Sequence, residues 1–143
     1  MAKLRSPSGS AAEDLFIELF SDVFGAENAS YLCAQYHFYD IYQNSRYADF
    51  VIERGATRIA IEIDDDATHH KALVSDDKYY DDLLKQNSMI YLGWDVYRWA
   101  VRQLQKQPEH VKDELRIFLG QESRFKELED YLPCQKASAL NGK

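Results

Sequence analysis

Cationic side chains are in short supply: 17 Lys+Arg stand against 24 Asp+Glu, a formal net charge of −7 with pI near 5.0. Affinity for a phosphate backbone grows with the number of cationic contacts, so this composition disfavours holding nucleic acid by general electrostatics. Any nucleic-acid role needs a local basic surface, a bound metal or a partner domain. Cysteine is scarce as well. The two present, Cys33 and Cys134, lie far apart and match neither a paired zinc spacing nor a disulfide framework, so buried or free thiols are expected. There is no run of about 18 apolar residues to span a bilayer, and the opening MAKLRSPSGS lacks the apolar stretch of a secretory signal. A cytoplasmic protein with no membrane partner is expected. Internal repeats and low-complexity segments are also missing.

What is present is enough for one core. The chain has 143 residues, of which 45% are hydrophobic, and that length falls in the usual one-domain range. The expected organisation is a flexible segment over 1–9, a domain over 10–132, and a tail or linker over 133–143. Ser10-Ala-Ala-Glu13 fits a capping box, and Leu15, Phe16, Leu19, Phe20 and Val23 follow at helical spacing until Gly25, predicting a helix over 11–24. The aromatic stretch Tyr31 to Tyr42 reads as a strand, with Gln43-Asn44-Ser45 as a turn.

The segment RYADFVIERGATRIAIEIDDD carries the most information. Two runs of period two flank Arg54-Gly55-Ala56-Thr57, which predicts a β-hairpin. Gly at the first central position suits a two-residue type II′ turn at Gly55-Ala56, and such a loop fixes the register. Phe50 then opposes Ile61, Ile52 opposes Ile59 and Ala48 opposes Ile63, all on one apolar face. On the other face Asp49 opposes Glu62 and Tyr47 opposes Asp64, with opposed Cβ atoms about 5 Å apart. Three carboxylates converge on one patch. Like charges so aligned cost stability unless something neutralises them, and a divalent cation suits oxygen ligands. The competing reading is a solvated polar face on an edge hairpin, with Asp65 and Asp66 continuing an acidic turn.

Downstream, Tyr79, Tyr80, Leu83, Leu84, Asn87, Ile90 and Tyr91 predict an amphipathic helix over 76–92, ended by Gly93. Trp94 to Trp99 alternates as a further strand. Beyond it Pro108 marks a break or a first helical turn before Val111, Leu115, Phe118 and Leu119, and a last helix is expected near 121–131. Arg98, Arg102 and Lys106 recur every fourth residue, which would make a basic stripe if that segment is helical; a solvated face is the ordinary alternative.

The order of these parts resembles the PD-(D/E)XK, or restriction-endonuclease-like, superfamily: a helix with a leading Glu, a strand, a strand bearing Asp, a strand bearing Glu-x-Asp, a long helix, and a strand. Tyr47-Ala-Asp49-Phe50, Ile61-Glu62-Ile63-Asp64 followed by His69, Lys85-Gln86-Asn87, and Gly93-Trp94-x-Val96-x-Arg98 are similar to the very-short-patch-repair-type branch, which also occurs at the amino terminus of superfamily-2 helicases. The resemblance covers about residues 10 to 105, and its specificity lies in the order and spacing of short motifs. It implies an α/β fold with a central mixed sheet of about four strands flanked by helices. It further implies hydrolysis of DNA phosphodiester bonds with Mg²⁺ or Mn²⁺, held by Asp49, Glu62 and Asp64. His69 is expected as an additional catalytic group, and Glu13 matches the family's acidic residue on the first helix, although the capping box accounts for it too. Lys85, Gln86, Arg98 and Arg102 are candidates for contacting nucleic acid, single-stranded or branched.

Two departures stand out. Asp65 occupies a position that is usually Gly, and Asp64 replaces the lysine of the superfamily's E-x-K pattern, as is usual in this branch, leaving the residue that stabilises the transition state unassigned. The expected context is the amino-terminal part of a larger helicase or defence/repair protein, whose helicase domains deliver substrate to an acidic module. The alternatives are a catalytically degenerate module of the same fold, for nucleic-acid binding or protein docking, and a small interaction domain unrelated to nucleic acid.

Overall fold

A computed structural model describes residues 10–65, 75–120 and 131–134. Helix α1, Ala11–Phe24, begins where Ser10 Oγ accepts the Glu13 N–H at 3.1 Å and ends at Gly25, whose φ of 97° suits a residue without Cβ. A 3₁₀ turn, Ala26–Tyr31, follows, and takes up Tyr31, which was expected in the first strand. Strand β1 is therefore Cys33–Tyr39, shorter than the aromatic stretch suggests. Asp40 closes the next turn by accepting the N–H groups of Tyr42 and Asn44.

Strands β2, Ser45–Arg54, and β3, Thr57–Asp64, form the expected hairpin. Phe50 pairs with Ile61, Ile52 with Ile59 and Arg54 with Thr57. Gly55 has φ 58°, and no positive φ occurs at Ala56, the pattern of a type II′ turn. Helix α2, Asp76–Tyr91, ends in a Schellman motif: Gly93, φ 89°, donates its N–H to Ile90 O, and Trp94 donates to Met89 O. Strand β4, Asp95–Ala100, runs parallel to β3. Two helices follow, α3, Val101–Lys106, and α4, Pro108–Leu119, with Pro108 in the first turn of α4, where its missing N–H costs nothing. The short β5, Tyr131–Leu132, pairs with the end of β2.

The sheet runs β1-β2-β3-β4, antiparallel until the parallel β3–β4 pair. This is a mixed α/β fold. One sheet face buries Phe50, Ile52, Ile59 and Ile61 with Phe16 and Phe20 of α1 and Leu104, Val111 and Leu115 of α3 and α4. Phe16 sits 5.2 Å from the Phe50 ring and 6.0 Å from Trp99, and burying such a side chain contributes about 1.5–3 kcal/mol. The opposite face packs Val51, Ala60 and Phe38 with Met89 of α2.

Three sequence expectations change here. Ala48, expected beside Phe50, is grouped instead with Val51 and Met89 on the opposite face. The pleat is interrupted next to it: the ladder to β1 skips the Gln35–Asp49 pair, Gln35 has φ 51°, and the ladder to β3 stops at Phe50–Ile61. The cysteines are not free thiols; Cys33 and Cys134 form a disulfide with Cα atoms 5.1 Å apart. Their separation of 101 residues concealed this, because β5 lies on β2 just beyond the start of β1 and brings Cys134 beside Cys33. Finally, the helix expected near 121–131 falls mostly outside the described residues, and Tyr131 itself is in a strand.

Among the described residues, no helix is long and apolar enough to cross a membrane.

Candidate functional site

The hairpin ladder gives way where the acidic residues begin. One step beyond Phe50–Ile61 the register brings Asp49 opposite Glu62, and side chains replace the main-chain bonds there. Asp49 N–H donates to Glu62 Oε2 at 3.0 Å, and Ile63 N–H donates to Asp49 Oδ2 at 2.7 Å. Each carboxylate thus occupies a backbone donor that the parting strands would otherwise leave unpaired. Glu62 is only 5% exposed.

Helix α2 supplies the counter-charge. Lys85 Nζ lies 2.7 Å from Glu62 Oε1. Asp82, Lys85 and Gln86 are spaced three and four residues apart on one helix face, so all three arrive at the site together. Strand β4 supplies Arg98, paired with Glu62 in the β3–β4 register. Its guanidinium grips Asp64 through two bonds, Nε to Oδ2 at 2.8 Å and Nη2 to Oδ1 at 2.9 Å, while Nη1 donates to Gln86 Oε1 at 2.6 Å. Asp49, Glu62, Asp64, Asp82, Lys85 and Arg98 line a depression of about 170 Å³, with Ile63 and Asp65 completing it.

Burial governs the protonation of the pair. Desolvation pushes the Asp49 carboxyl above its ordinary value, and the charges of Glu13 and Asp64 add to this, against the Ile63 N–H and the Lys85 ammonium. Desolvation raises Glu62 too, opposed chiefly by Lys85 and reinforced by Asp49. Asp49 Oδ1 has no hydrogen-bond or ion-pair partner among the described residues. Asp49 Oδ1 is therefore one oxygen of the kind a hard divalent cation takes, whereas both Glu62 oxygens are engaged, Oε2 by Asp49 N–H and Oε1 by Lys85 Nζ, so a cation there would share Glu62 with the ammonium. Among the described residues, however, no group of three or more His, Cys, Asp or Glu side chains is arranged to hold a metal. Asp64, expected as the third ligand, is turned into the Arg98 fork instead.

The other expected residues fall as follows. Glu13 is buried, and its Oε2 accepts from Gln35 Nε2 at 2.8 Å, opposite Asp49 on the neighbouring strand. Gln35 was not anticipated, and its left-handed backbone has no signal in the sequence. Lys85 and Gln86 both reach the site. Arg98 does so on a strand, whereas Arg102 and Lys106 lie exposed on α3, so the basic stripe fails: β4 persists to Ala100 and one helical period does not run through the three. His69 lies outside the described residues.

No protein-family model, no curated protein and no solved structure matches the chain.

Proposed function

We propose that this chain is a metal-dependent nuclease domain of the restriction-endonuclease-like kind, acting on DNA phosphodiester bonds. The observation that carries the reading is the Asp49–Glu62 pair, buried where β2 and β3 part, with Asp49 Oδ1 unpartnered among the described residues and the Lys85 ammonium on Glu62. Asp49 and Glu62 would hold the cation. Mg²⁺ or Mn²⁺ bound there supplies Lewis-acid polarisation of the phosphoryl group and a more acidic water. Lys85 takes the part left open by the missing E-x-K lysine, offering positive charge to the phosphoryl oxygens as negative charge accumulates on them. Gln35 donates to Glu13, whose charge reaches the Asp49 carboxyl and raises its pKa. Proton transfer falls to His69.

With a net charge of −7 the domain attracts DNA poorly by itself. Delivery of the substrate by helicase domains of a longer chain answers this need. The degenerate-module alternative draws on one observation, the capture of Asp64 by Arg98, which leaves two carboxylates for the metal.

The test is cleavage of single-stranded and forked DNA at low salt, with Mg²⁺, Mn²⁺ or EDTA. The expected result is metal-dependent cleavage lost in Asp49→Asn and in Glu62→Gln while both variants stay folded. Cleavage retained in either variant would refute the assignment, and metal-dependent binding with no cleavage would favour the degenerate module.

A further inference from the structure

We propose that the cavity between the β1–β2 turn and the end of α2 binds an uncharged planar heterocycle, the adenine of a nucleoside or of an unpaired nucleotide, stacked on tyrosine and read by side-chain amides. This site is independent of the nuclease reading. It shares no lining residue with the acidic depression. Asn87 and Tyr91, four residues apart, also share a flank of α2 turned away from Lys85.

One wall is formed by residues 39–43 and the other by residues 87–92, and together they enclose about 640 Å³. Small-molecule sites measure roughly 300–1,000 Å³ and are mostly apolar, with a few polar groups that set orientation. The lining here is of that kind. Tyr39, Ile41, Tyr91 and Leu92 gather around it, and all four are exposed, a concentration of apolar surface that water alone does not favour. Each wall offers one aromatic ring. His37 braces the Tyr39 ring edge-on at 4.6 Å, whereas Tyr91 is 80% exposed and has no ring against it among the described residues.

The polar groups are neutral and unengaged. Ser88 is 1% exposed; its Oγ accepts the Ile41 N–H at 3.1 Å, and its own proton has no acceptor among the described residues. A buried hydroxyl donor in that state marks the place of a ligand acceptor or of water. The side-chain amides of Gln43 and Asn87, one on each wall, have no hydrogen-bond partner among the described residues either. Gln43 holds a left-handed backbone, φ 67°, with its N–H on Asp40 O, so the turn itself sets where its side chain begins. Asp40 is the one charged residue of the described lining. Its carboxylate is already taken by the N–H groups of Tyr42 and Asn44 and by Arg46 Nε. A ligand therefore meets no available charge, which leaves phosphate no grip and suits a neutral ring with donors and acceptors along its edge. An amide sets one donor beside one acceptor, the pattern that pairs with adenine N6 and N7. Tyrosine faces supply the stack, as they do for unpaired bases.

Equilibrium dialysis of the whole chain against labelled adenosine, in EDTA, tests this without metal or turnover. Adenosine should bind saturably, adenosine monophosphate no more tightly, and salt should leave the affinity unchanged, since no cation of the cavity contacts phosphate. Tyr91→Ala should weaken binding about fivefold or more by removing one stacking face. Purine riboside keeps the stack and lacks the 6-amino group. The parent should prefer adenosine to it, and the preference should disappear in the double variant Gln43→Gly, Asn87→Ala. Gly suits the φ of 67° and Ala suits a helix, so neither substitution unsettles the fold. A short single strand of deoxyadenosine that displaces adenosine identifies a nucleic-acid base as the occupant, failure to displace it identifies the free nucleoside, and either result supports the site. No saturable adenosine binding by the parent, or affinity and preference unchanged in Tyr91→Ala and in the double variant, would overturn the proposal. The nuclease reading is decided separately, by cleavage.

Discussion

Replacing Lys85 by Met isolates the charge that the buried carboxylates depend on. The Lys85 ammonium lies 2.7 Å from Glu62 Oε1, and the two side chains are 20% and 6% exposed. Removing one partner of a fully buried pair costs about 3–5 kcal/mol, because the remaining charge is left uncompensated. Here the lysine keeps some contact with water, which can reach the carboxylate once the ammonium is gone. The expected loss above neutral pH is accordingly about 2–3 kcal/mol. Met preserves the length and the apolar packing of the lysine stem, so the change is mostly electrostatic.

The pH dependence follows from the direction of the Glu62 shift. Burial holds this carboxyl above its ordinary value, and Lys85 is the chief group pulling it back. Without Lys85 the folded-state value rises further. A carboxyl whose folded pKa lies above its unfolded one contributes stability that is fully present below the unfolded pKa and lost as pH rises through the folded pKa. The deficit of the variant should thus be largest at alkaline pH and shrink as the medium is acidified toward the ordinary glutamate range, where Glu62 is neutral in both proteins. Urea unfolding of the parent, Lys85→Met, Glu62→Gln and the double variant, between about pH 5 and 8, reads this directly. The double variant should recover most of the loss. A deficit under about 0.5 kcal/mol, one independent of pH, or a double variant as unstable as the single would refute the reasoning.

Asp49→Asn removes a carboxylate that burial holds above its ordinary value, while the amide oxygen of the new side chain can take the place of Oδ2 and accept from Ile63 N–H. It should raise Tm by a few degrees at neutral pH, an advantage that fades below the unfolded aspartate pKa, as calorimetry across pH would read. Phe16→Ala opens a cavity between Phe50 and Trp99 at a fully buried position, and should cost about 3–5 kcal/mol in urea unfolding; a loss below about 1 kcal/mol would contradict the packing described. Reducing the Cys33–Cys134 disulfide, which joins residues 101 apart, should lower stability by about 4.7 kcal/mol on the chain-entropy account. An unchanged urea midpoint after reduction, with two free thiols already titratable beforehand, would remove the bond from the description.

Local rules account for what the sequence by itself determined. The hairpin was legible because Gly55-Ala56 admits one tight turn and because alternation on both arms gives one register that buries Phe50, Ile52, Ile59 and Ile61 together. The same register put Asp49 against Glu62. The bounds of α1 and α2 followed from Ser10, Gly25 and Gly93, each acting within a few residues of itself, and Pro108 opened α4 for the same reason. Everything that turns the acidic pair into a particular site came from contacts distant in the chain. Lys85 meets Glu62 across 23 positions, and Arg98 meets Asp64 across 34. Alternation over Trp94 to Trp99 already put Arg98 on a strand, which broke the helical stripe with Arg102 and Lys106, but pair spacing could not foresee Cys134 beside Cys33. Ala48 left its expected face because Gln35 and Asp49 break the pleat, an outcome decided by three strands at once. Register is a property of neighbours in the chain, whereas charge pairing and sheet distortion depend on elements that only the folded sheet and helices bring together.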